Sequence, residues 1–389
     1  MNLWKKLICL LFISFGVMAC QEDPKPVSSA KHYPALAETF GNAINPNQVA
    51  NYQNQKIPAY ITKDNTGANA IDNKIATLGR VLFYDKKLSV NNQISCASCH
   101  QQQFAFGDTA QLSLGINGRT KRHSMRLVNA RFARETHFFW DERATTLEHQ
   151  VTEPIKDHIE MGYSGKNGGP DLDDLLLKLA KEEYYKELAL LAFGDKNLNE
   201  TRLKMALAQF VRSIQSFDSK YDEGRAVVGN DRDPFPNFSA LENEGKRLFR
   251  TPMGINNSTA CSGCHNAPEF DIAQTSGNNG VIGVANQPGE VDLSNTRAPT
   301  IRDLVNPQGQ LNGPLMHNGQ FPTLRSVIEH YNNIPNDDRN TNLDFHLRGP
   351  NGTQKLFLEE QEKKALIAFL KTLTSKQVYT DPKYSDPFR

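Results

Sequence analysis

Apolar residues recur at helical spacing along several stretches of the chain. Residues 74–84 and 241–249 each carry an apolar face and the pattern G-x-x-L-F, and each precedes a close pair of cysteines. Longer helical patterns cover residues 171–193, 199–217 and about 358–374. Strand patterns are few. The sequence therefore predicts a mainly α fold with long loops, in which one type of unit occurs twice.

Polar and turn-forming residues divide the chain into segments. Residues 21–55 are polar and rich in Pro and Asn, which is typical of a tether. Residues 223–238 contain the Gly and Pro residues of an interdomain linker. We therefore expect an N-terminal domain over residues 56–230 and a C-terminal domain over residues 231–389. Each has the length needed to bury a core of its own.

Residues 1–20 have the pattern of an export signal. Lys5 and Lys6 precede an apolar run, residues 7–17, that is too short to span a bilayer comfortably. The run ends in Val-Met-Ala and Cys20, which resembles a bacterial lipobox in which the cysteine is lipidated. A plain secretion signal, in which Cys20 has no role, is the alternative. Both predict an exported, periplasmic protein, and the first predicts a lipid anchor at Cys20 as the only attachment to a membrane.

Charge gives no reason to propose a nucleic-acid partner. The 389 residues include 44 Lys and Arg and 43 Asp and Glu, for a formal net charge of +1. A protein that binds phosphate backbones usually carries a basic surface. With 38% hydrophobic residues and frequent periodic stretches, the composition is that of a globular protein.

The cysteines outside the export signal form two pairs, and a histidine follows each pair directly. The motifs are Cys96, Cys99 and His100, and then Cys261, Cys264 and His265. This C-x-x-C-H spacing is the haem attachment pattern. On one helical turn the two thiols can form thioethers to the porphyrin while the imidazole reaches the iron. A four-thiolate zinc site or two redox dithiols are the alternatives, but neither requires the histidines. We expect two covalent haem c groups in two cytochrome c-like domains.

The sequence around both motifs resembles the bacterial dihaem cytochrome c peroxidase family, which includes MauG. The similar blocks are residues 78–100, 139–154, 160–162 and 314–324, and the resemblance covers about residues 70–375. It implies that hydrogen peroxide is reduced at the N-terminal haem. The C-terminal haem then passes on electrons from a small exported donor, a cytochrome c or a similar protein. A homodimer is compatible with the resemblance.

Four residues receive roles near the N-terminal haem from this resemblance. Glu160 is the expected acid–base group, because breaking the O–O bond of peroxide requires one proton to be removed and one to be delivered. Gln150 is expected to donate a hydrogen bond in the pocket, and Pro154 to crowd its roof. Trp140 is expected to relay electrons between the haems. A surface position for Glu160 and a purely structural role for Trp140 are the alternatives.

The N-terminal haem is expected to have an open sixth position. Many family members close it with a histidine in the loop after the first haem, but residues 112–120 contain none. His123 is the nearest histidine, at a position where the family usually has Asn. We therefore predict a five-coordinate haem that needs no reductive activation, with His123 as a switchable ligand as the rival interpretation.

The C-terminal haem is expected to have a tyrosine as its sixth ligand. Classical family members use a Met fourteen residues after a motif histidine, here His317, and that position is Tyr331, as in MauG-like members. A tyrosinate ligand favours Fe(III) and higher states, whereas a Met raises the reduction potential. The alternative is that Tyr331 is an ordinary buried residue and that Met316 or His330 binds the iron.

Two further expectations concern ions and propionates. The resemblance maps two calcium-binding carbonyls to Asn312 and Pro314, but the third ligand position is His123, a poor ligand for a hard cation. Calcium is therefore an open expectation. Arg297 and Arg302 could pair with haem propionates or lie on the solvated surface.

Three functions remain from the sequence. The first is a peroxidase that reduces hydrogen peroxide to water. The second is a MauG-like oxidase that modifies a protein substrate. The third is a pure electron carrier, against which a catalytic Glu160 with an open haem face would argue.

Overall fold

Short helices provide most of the regular structure in the computed structural model, which describes residues 32–133, 137–254, 260–272, 276–349 and 352–388. The helices of these residues are α1 Pro34–Phe40, α2 Asn73–Tyr84, α3 Cys96–Cys99, α4 Leu147–Gln150, α5 Glu153–Lys156, α6 Leu172–Leu179, α7 Glu183–Phe193, α8 Glu200–Ser213, α9 Lys220–Arg225, α10 Ala240–Arg250, α11 Cys261–Cys264, α12 Leu324–Asn332 and α13 Glu360–Lys371. Their predominance agrees with the mainly α class that the sequence predicts.

Strands in the described residues are limited to three antiparallel pairs of two residues each. They are β1 Leu114–Gly115 with β2 Gly118–Arg119, β3 His265–Asn266 with β4 Asp271–Ile272, and β5 Arg348–Gly349 with β6 Gly352–Thr353. The first pair is a hairpin in which Leu114 is opposite Arg119. The other described residues form loops and turns around the helices, as the sequence predicts.

Polar side chains fix where the helices begin. Asp72 accepts hydrogen bonds from the first free N–H groups of α2, and Asn199 does the same for α8. Residues 171–193, which the periodicity predicts as one helix, form α6 and α7 instead. The break occurs because Glu182 adopts an extended conformation as the N-cap of α7. Each shorter helix can then bury its own apolar face.

The helix that precedes each haem motif crosses a later helix at a glycine. A Cβ added to Gly79 of α2 would lie 1.9 Å from the carbonyl oxygen of Ala206 in α8. A Cβ added to Gly245 of α10 would lie 1.9 Å from the carbonyl oxygen of Ala365 in α13. Only glycine allows the two backbones to approach so closely. The G-x-x-L-F pattern thus corresponds to the same helix crossing in both halves of the chain.

The C-terminal segment returns to the first half of the molecule. The Tyr384 ring packs edge-on against Phe106 and lies beside Phe210. Its hydroxyl donates to the carbonyl of Ser213 at 2.5 Å. The last residues of the expected C-terminal domain, residues 231–389, therefore contribute to the core around the first haem motif.

Helix α1, Pro34–Phe40, packs against the rest of the folded chain. Leu36 is fully buried and Phe40 is 5% exposed, and the Glu187 carboxylate accepts a hydrogen bond from the Leu36 amide at 2.9 Å. Apolar residues four positions apart give this short helix one buried face. The tether expected over residues 21–55 is therefore wrong for this part.

The export signal predicted at residues 1–20, with Cys20, lies outside the described residues. Within the part of the chain that the structure describes, no helix combines the length and the apolar character needed to cross a bilayer.

Candidate active site

The first cysteine pair and its histidine line a cavity of about 740 Å³. Ser95 and Ser98 cap the single turn α3 reciprocally, and the amide of His100 donates to the carbonyl of Cys96 at 2.9 Å. This turn places both thiols and the imidazole on the same cavity wall. The volume is in the range of about 300–1,000 Å³ that holds cofactors and other small molecules.

The His100 ring is oriented as a metal ligand requires. Its Nδ1 lies 3.1 Å from the carbonyl oxygen of Phe106, so Nδ1–H donates there and Nε2 is left for an iron. Ala105 and Phe106, both at positive φ, form the turn that presents this carbonyl. Burial lowers the pKa of His100, which keeps the imidazole neutral.

The thiols do not have the properties of a zinc site or of a reactive redox pair. Burial raises the pKa of Cys96 and of Cys99 to about 12, whereas a reactive pair depends on a lowered pKa. Among the described residues, the one group that could hold a metal by itself consists of Cys264, Asp344 and His346. The two pairs therefore do not form one four-thiolate site, and they fit two separate haem attachments.

The second motif lines a smaller cavity, of about 200 Å³. Cys261, Cys264 and His265 contribute to its wall. Burial lowers the pKa of His265 to about 4, and its Nδ1 is buried without a hydrogen-bond partner among the described residues. A neutral imidazole beside two thiols fits a haem here too, although the surrounding side chains have to move apart to seat the ring.

Glu160, Gln150 and Pro154 face the first cavity together with His100. Gln150 ends α4 and Pro154 lies in α5. The Glu160 backbone is held on both sides, because its N–H donates to Asp157 Oδ1 at 3.1 Å and its carbonyl accepts from the amide of Ile116 at 3.1 Å. The three side chains that the resemblance singled out thus line one cavity, and their roles there stay predictions.

The hairpin that fixes the Glu160 segment needs a glycine. A Cβ on Gly115 would lie 2.1 Å from the carbonyl oxygen of Ile159 and 2.8 Å from the Cα of Glu160. The hairpin β1–β2 can therefore lie flat against this segment. Of residues 112–120, Gly115 and Thr120 line the cavity, and neither side chain is an iron ligand.

The Glu160 carboxyl is poised to exchange a proton near neutral pH. Burial raises its pKa to about 7, Asp157 raises it further, and Arg143 opposes the shift. A group with this pKa is available both as a base and as an acid at neutral pH. It lines the cavity and is only partly exposed, which argues against a fully solvated surface glutamate.

His123 lies in the wall between the two cavities. It is 6% exposed, its Nδ1 lies 3.0 Å from the carbonyl oxygen of Ala110, and its amide donates to the carbonyl of His317 at 2.6 Å. Burial and the nearby Arg126 lower its pKa. These contacts hold the ring in place, and its role as a switchable ligand stays a prediction.

Trp140 lines both cavities. Its indole Nε1 donates to the carbonyl of His123 at 2.7 Å, and its own carbonyl accepts from the amides of Thr296 and Arg297. The ring is 6.1 Å from that of His317, in an edge-on arrangement. The indole is thus held between the two haem motifs by contacts to both halves of the chain.

Two of the three candidate ligands for the second haem face the second cavity. Tyr331 of α12 and Met316 line it, whereas the Nε2 of His330 is engaged at 2.8 Å with the carbonyl of Asn279. The Asn279 amide nitrogen lies 3.4 Å from the Tyr331 hydroxyl and 3.2 Å from the Met316 sulfur. Burial raises the pKa of Tyr331. Sequence reasoning gave no signal for Asn279.

The residues expected to bind calcium lie near the wall between the cavities. Pro314 lines the second cavity, and Asn312 is 1% exposed. The Asn312 side chain nitrogen donates to the carbonyl of Asp303 at 2.8 Å and to Tyr379 at 2.9 Å. Its Oδ1 has no partner among the described residues. Calcium stays a prediction.

Arg302 was expected to pair with a haem propionate or to lie on the solvated surface, and both expectations are wrong. Its side chain is fully buried and forms two hydrogen bonds of 2.9 Å with the Asp222 carboxylate, and it lines neither cavity. Arg302 therefore forms an internal ion pair with Asp222, and its side chain is neither solvated nor available to propionates. Arg297 does line both cavities, and so does Arg126, which sequence reasoning missed because an isolated arginine has no motif.

The chain is similar to known proteins over most of its length. Residues 73–230 match the family model described as di-haem cytochrome c peroxidase. The methylamine utilization protein MauG of Methylophilus methylotrophus is 30% identical over 315 residues, which cover 79% of this chain and 84% of that protein. The cytochrome c551 peroxidase of Nitrosomonas europaea is 27% identical over 324 residues, which cover 78% and 80%.

The fold is also similar to that of solved structures. A MauG-like protein associated with microbial copper homeostasis superposes with a TM-score of 0.68 at 26% identity, covering 86% of this chain and 99% of that one. Relatives named as peroxidases and relatives named MauG thus both resemble this chain.

Proposed function

Because the chain belongs to the family of di-haem cytochrome c peroxidases and MauG proteins, we propose that it is a peroxidase. Hydrogen peroxide, two protons and two electrons give two molecules of water, and the electrons come from a small exported donor such as a cytochrome c. The bound haems supply the iron that takes up peroxide and the electrons that reduce it. The observation that carries the proposal is that Glu160 and His100 face one cavity.

Glu160 moves the proton that the reaction requires. In its ionised form it accepts a proton from one peroxide oxygen, and it then delivers that proton to the oxygen that leaves as water. Its pKa of about 7 makes both transfers accessible at neutral pH. Acid–base help of this kind is worth roughly 10²–10⁴ in rate.

Gln150 and Pro154 shape the space in which peroxide binds. Gln150 offers an amide that can donate a hydrogen bond to peroxide from the cavity wall. Pro154 contributes a rigid ring without an N–H donor to the same wall. We assign Gln150 to orientation and Pro154 to the exclusion of larger molecules.

Trp140 relays electrons between the two haems in this proposal. Its indole borders both cavities, and its hydrogen bond to the His123 carbonyl fixes the ring between them. A fixed aromatic ring on the shared wall gives electrons a short path from the second haem to the first. Haem ligation by His100, His265 and Tyr331 belongs to the same proposal.

The Glu160→Gln variant tests the acid–base role. We expect a loss of about 10²–10⁴ in the kcat for peroxide reduction with reduced cytochrome c, while the haem content stays that of the wild type. Glu153→Gln is the matched control, because Glu153 is a neighbouring glutamate that pairs with Lys156 at 2.9 Å and does not line the cavity. Equal activities of the two variants would refute the role.

A MauG-like oxidase that modifies a protein substrate is the second candidate, and Tyr331 is the observation that favours it. A tyrosine facing the second cavity could supply a hard anionic ligand that tolerates strong oxidation. This function predicts a long-lived oxidised absorbance spectrum after peroxide is added to the ferric protein, with poor turnover of reduced cytochrome c. Rapid donor turnover supports the peroxidase, and no spectral response supports a pure electron carrier.

We also propose that the protein is exported to the periplasm and anchored by a lipid at Cys20. The support is the lipobox-like pattern at the end of the apolar run. Cys20→Ser is expected to move the protein from the membrane fraction to the soluble fraction. An unchanged distribution would leave a plain secretion signal.

A further inference from the structure

One wall separates the two cavities. Residues 123–126, Trp140 and residues 297–299 line both of them. Two cations, Arg126 and Arg297, belong to this wall. A charge placed here acts on both haem sites at once, because each cavity borders it.

Arg126 is a buried cation with no anion bound directly to it. Its Nη2 donates to the carbonyl of Thr300 at 3.2 Å, while its Nε is buried and has no hydrogen-bond partner. It forms no ion pair among the described residues; burial lowers its pKa, and the nearby Asp303 carboxylate opposes that shift without pairing directly with the guanidinium. Arg302 shows the contrast, because this buried arginine forms two hydrogen bonds with the Asp222 carboxylate.

An enclosed guanidinium with no carboxylate in direct contact is costly, so its surroundings are expected to supply one. A haem carries two propionate carboxylates. Arginine binds a carboxylate through two parallel N–H donors, which also fixes the orientation of the bound group. The position of Arg126 on both cavity walls places it within the reach of either haem.

The Arg126 side chain lies near Asn312, one of the residues expected to bind calcium. The position of a Cβ on Gly107 is 3.0 Å from the Cγ of Arg126 and 3.8 Å from the carbonyl oxygen of Asn312. Arg126 also lies close enough to His123 to lower its pKa. A positively charged side chain that runs through this region disfavours a divalent cation there, and a histidine is a poor ligand for calcium. The residues present therefore do not fit a calcium ion.

We propose that Arg126 is a positioning residue shared by the two haems, and that its guanidinium pairs with a haem propionate and takes the electrostatic place of the calcium ion. The proposal rests on the proposed function only in requiring that both haems are attached. The positive charge destabilises ferric iron more than ferrous iron, so Arg126 raises the potentials of the haems beside it.

Spectroelectrochemical titration of the full-length holoprotein tests this proposal. Haem content is measured first, and fewer than two haems per chain would refute the proposed function itself. We expect Arg126→Gln to lower the midpoint potential of both haems, each by at least a tenfold change in the redox equilibrium constant, or about 59 mV for one electron. Arg126→Lys keeps the charge and is expected to stay near the wild type.

Arg232→Gln is the matched control, because it removes the same charge from an exposed residue that lines neither cavity. Two attached haems with unchanged potentials in Arg126→Gln would overturn the proposal, and so would stoichiometric calcium in the wild type by elemental analysis. If Arg126→Gln does not attach two haems while Arg126→Lys attaches both and has wild-type potentials, the need for the positive charge is supported. Failure of both variants would mean that the shape of the side chain is needed, and would overturn the proposal.

Discussion

Glu160 is expected to reduce the stability of the protein at alkaline pH, and Glu160→Gln should reveal this. Burial raises the pKa of this carboxyl from 4.5 to about 7. In the unfolded chain the group has an ordinary pKa, so the folded state binds its proton more tightly. The stabilisation from this proton is complete below about pH 4.5 and is lost as the pH rises through about 7.

The size of the effect follows from the shift. The difference between about 7 and 4.5 is about 2.5 pKa units, and each unit corresponds to about 1.36 kcal/mol. At pH 8.5 the ionised Glu160 therefore costs the folded state up to about 3 kcal/mol relative to a neutral side chain of the same shape. Glutamine is such a side chain, because it keeps the size of glutamate and does not ionise.

Denaturant unfolding at two pH values measures this difference. We expect Glu160→Gln to exceed the wild type in free energy of unfolding by up to about 3 kcal/mol at pH 8.5, and the difference to shrink towards pH 4.5. Glu153→Gln serves again as the control, since its half-exposed ion pair with Lys156 contributes little. A difference that is the same at both pH values, or a less stable Glu160→Gln at pH 8.5, would refute the reasoning.

Three other predictions concern turnover, packing and iron ligation. The kcat/KM for peroxide should fall as the pH drops below about 7, because the base form of Glu160 is lost there, and a flat profile from pH 8 to 5 would contradict this. Gly245→Ala should lower the free energy of unfolding by about 1–3 kcal/mol or more, because the new Cβ would lie 1.9 Å from a backbone oxygen of α13. The control Gly283→Ala has open space around the new Cβ and should change the free energy of unfolding little in the same denaturation experiment. Tyr331→Phe should change the low-spin EPR signal of the resting protein, whereas Met316→Leu should not. The reverse result would identify Met316 as the sixth ligand of the second haem iron.

Local features of this protein could be recognised without coordinates. The haem motifs depend on one helical turn, so the spacing of Cys96, Cys99 and His100 already specifies which groups share a face. The apolar faces of α2 and α10 are equally local, and the structure has both helices within one residue of the predicted bounds. Glu160 was found through the resemblance alone, since nothing in its immediate sequence separates it from a surface glutamate.

Features that depend on contacts between distant parts of the chain could not be predicted from the sequence. The short helix α1 follows a polar stretch, and contacts with distant residues make it part of the fold, among them the hydrogen bonds to Glu187, about 150 residues away. The C-terminal segment similarly packs beside Phe106 rather than within the expected C-terminal domain. Local composition predicts whether a segment is polar, but not which surface covers it.

The amino-acid sequence by itself determined that two haem motifs exist and that a helix precedes each of them. The tertiary structure alone decided which charges have partners. Arg126 and Arg302 are both arginines in loops, yet Asp222, 80 residues from Arg302, pairs with one while the other is left in the wall between the cavities. The physical reason is that the cost of a buried charge depends on the groups around it in space, and in this chain those groups come from both halves.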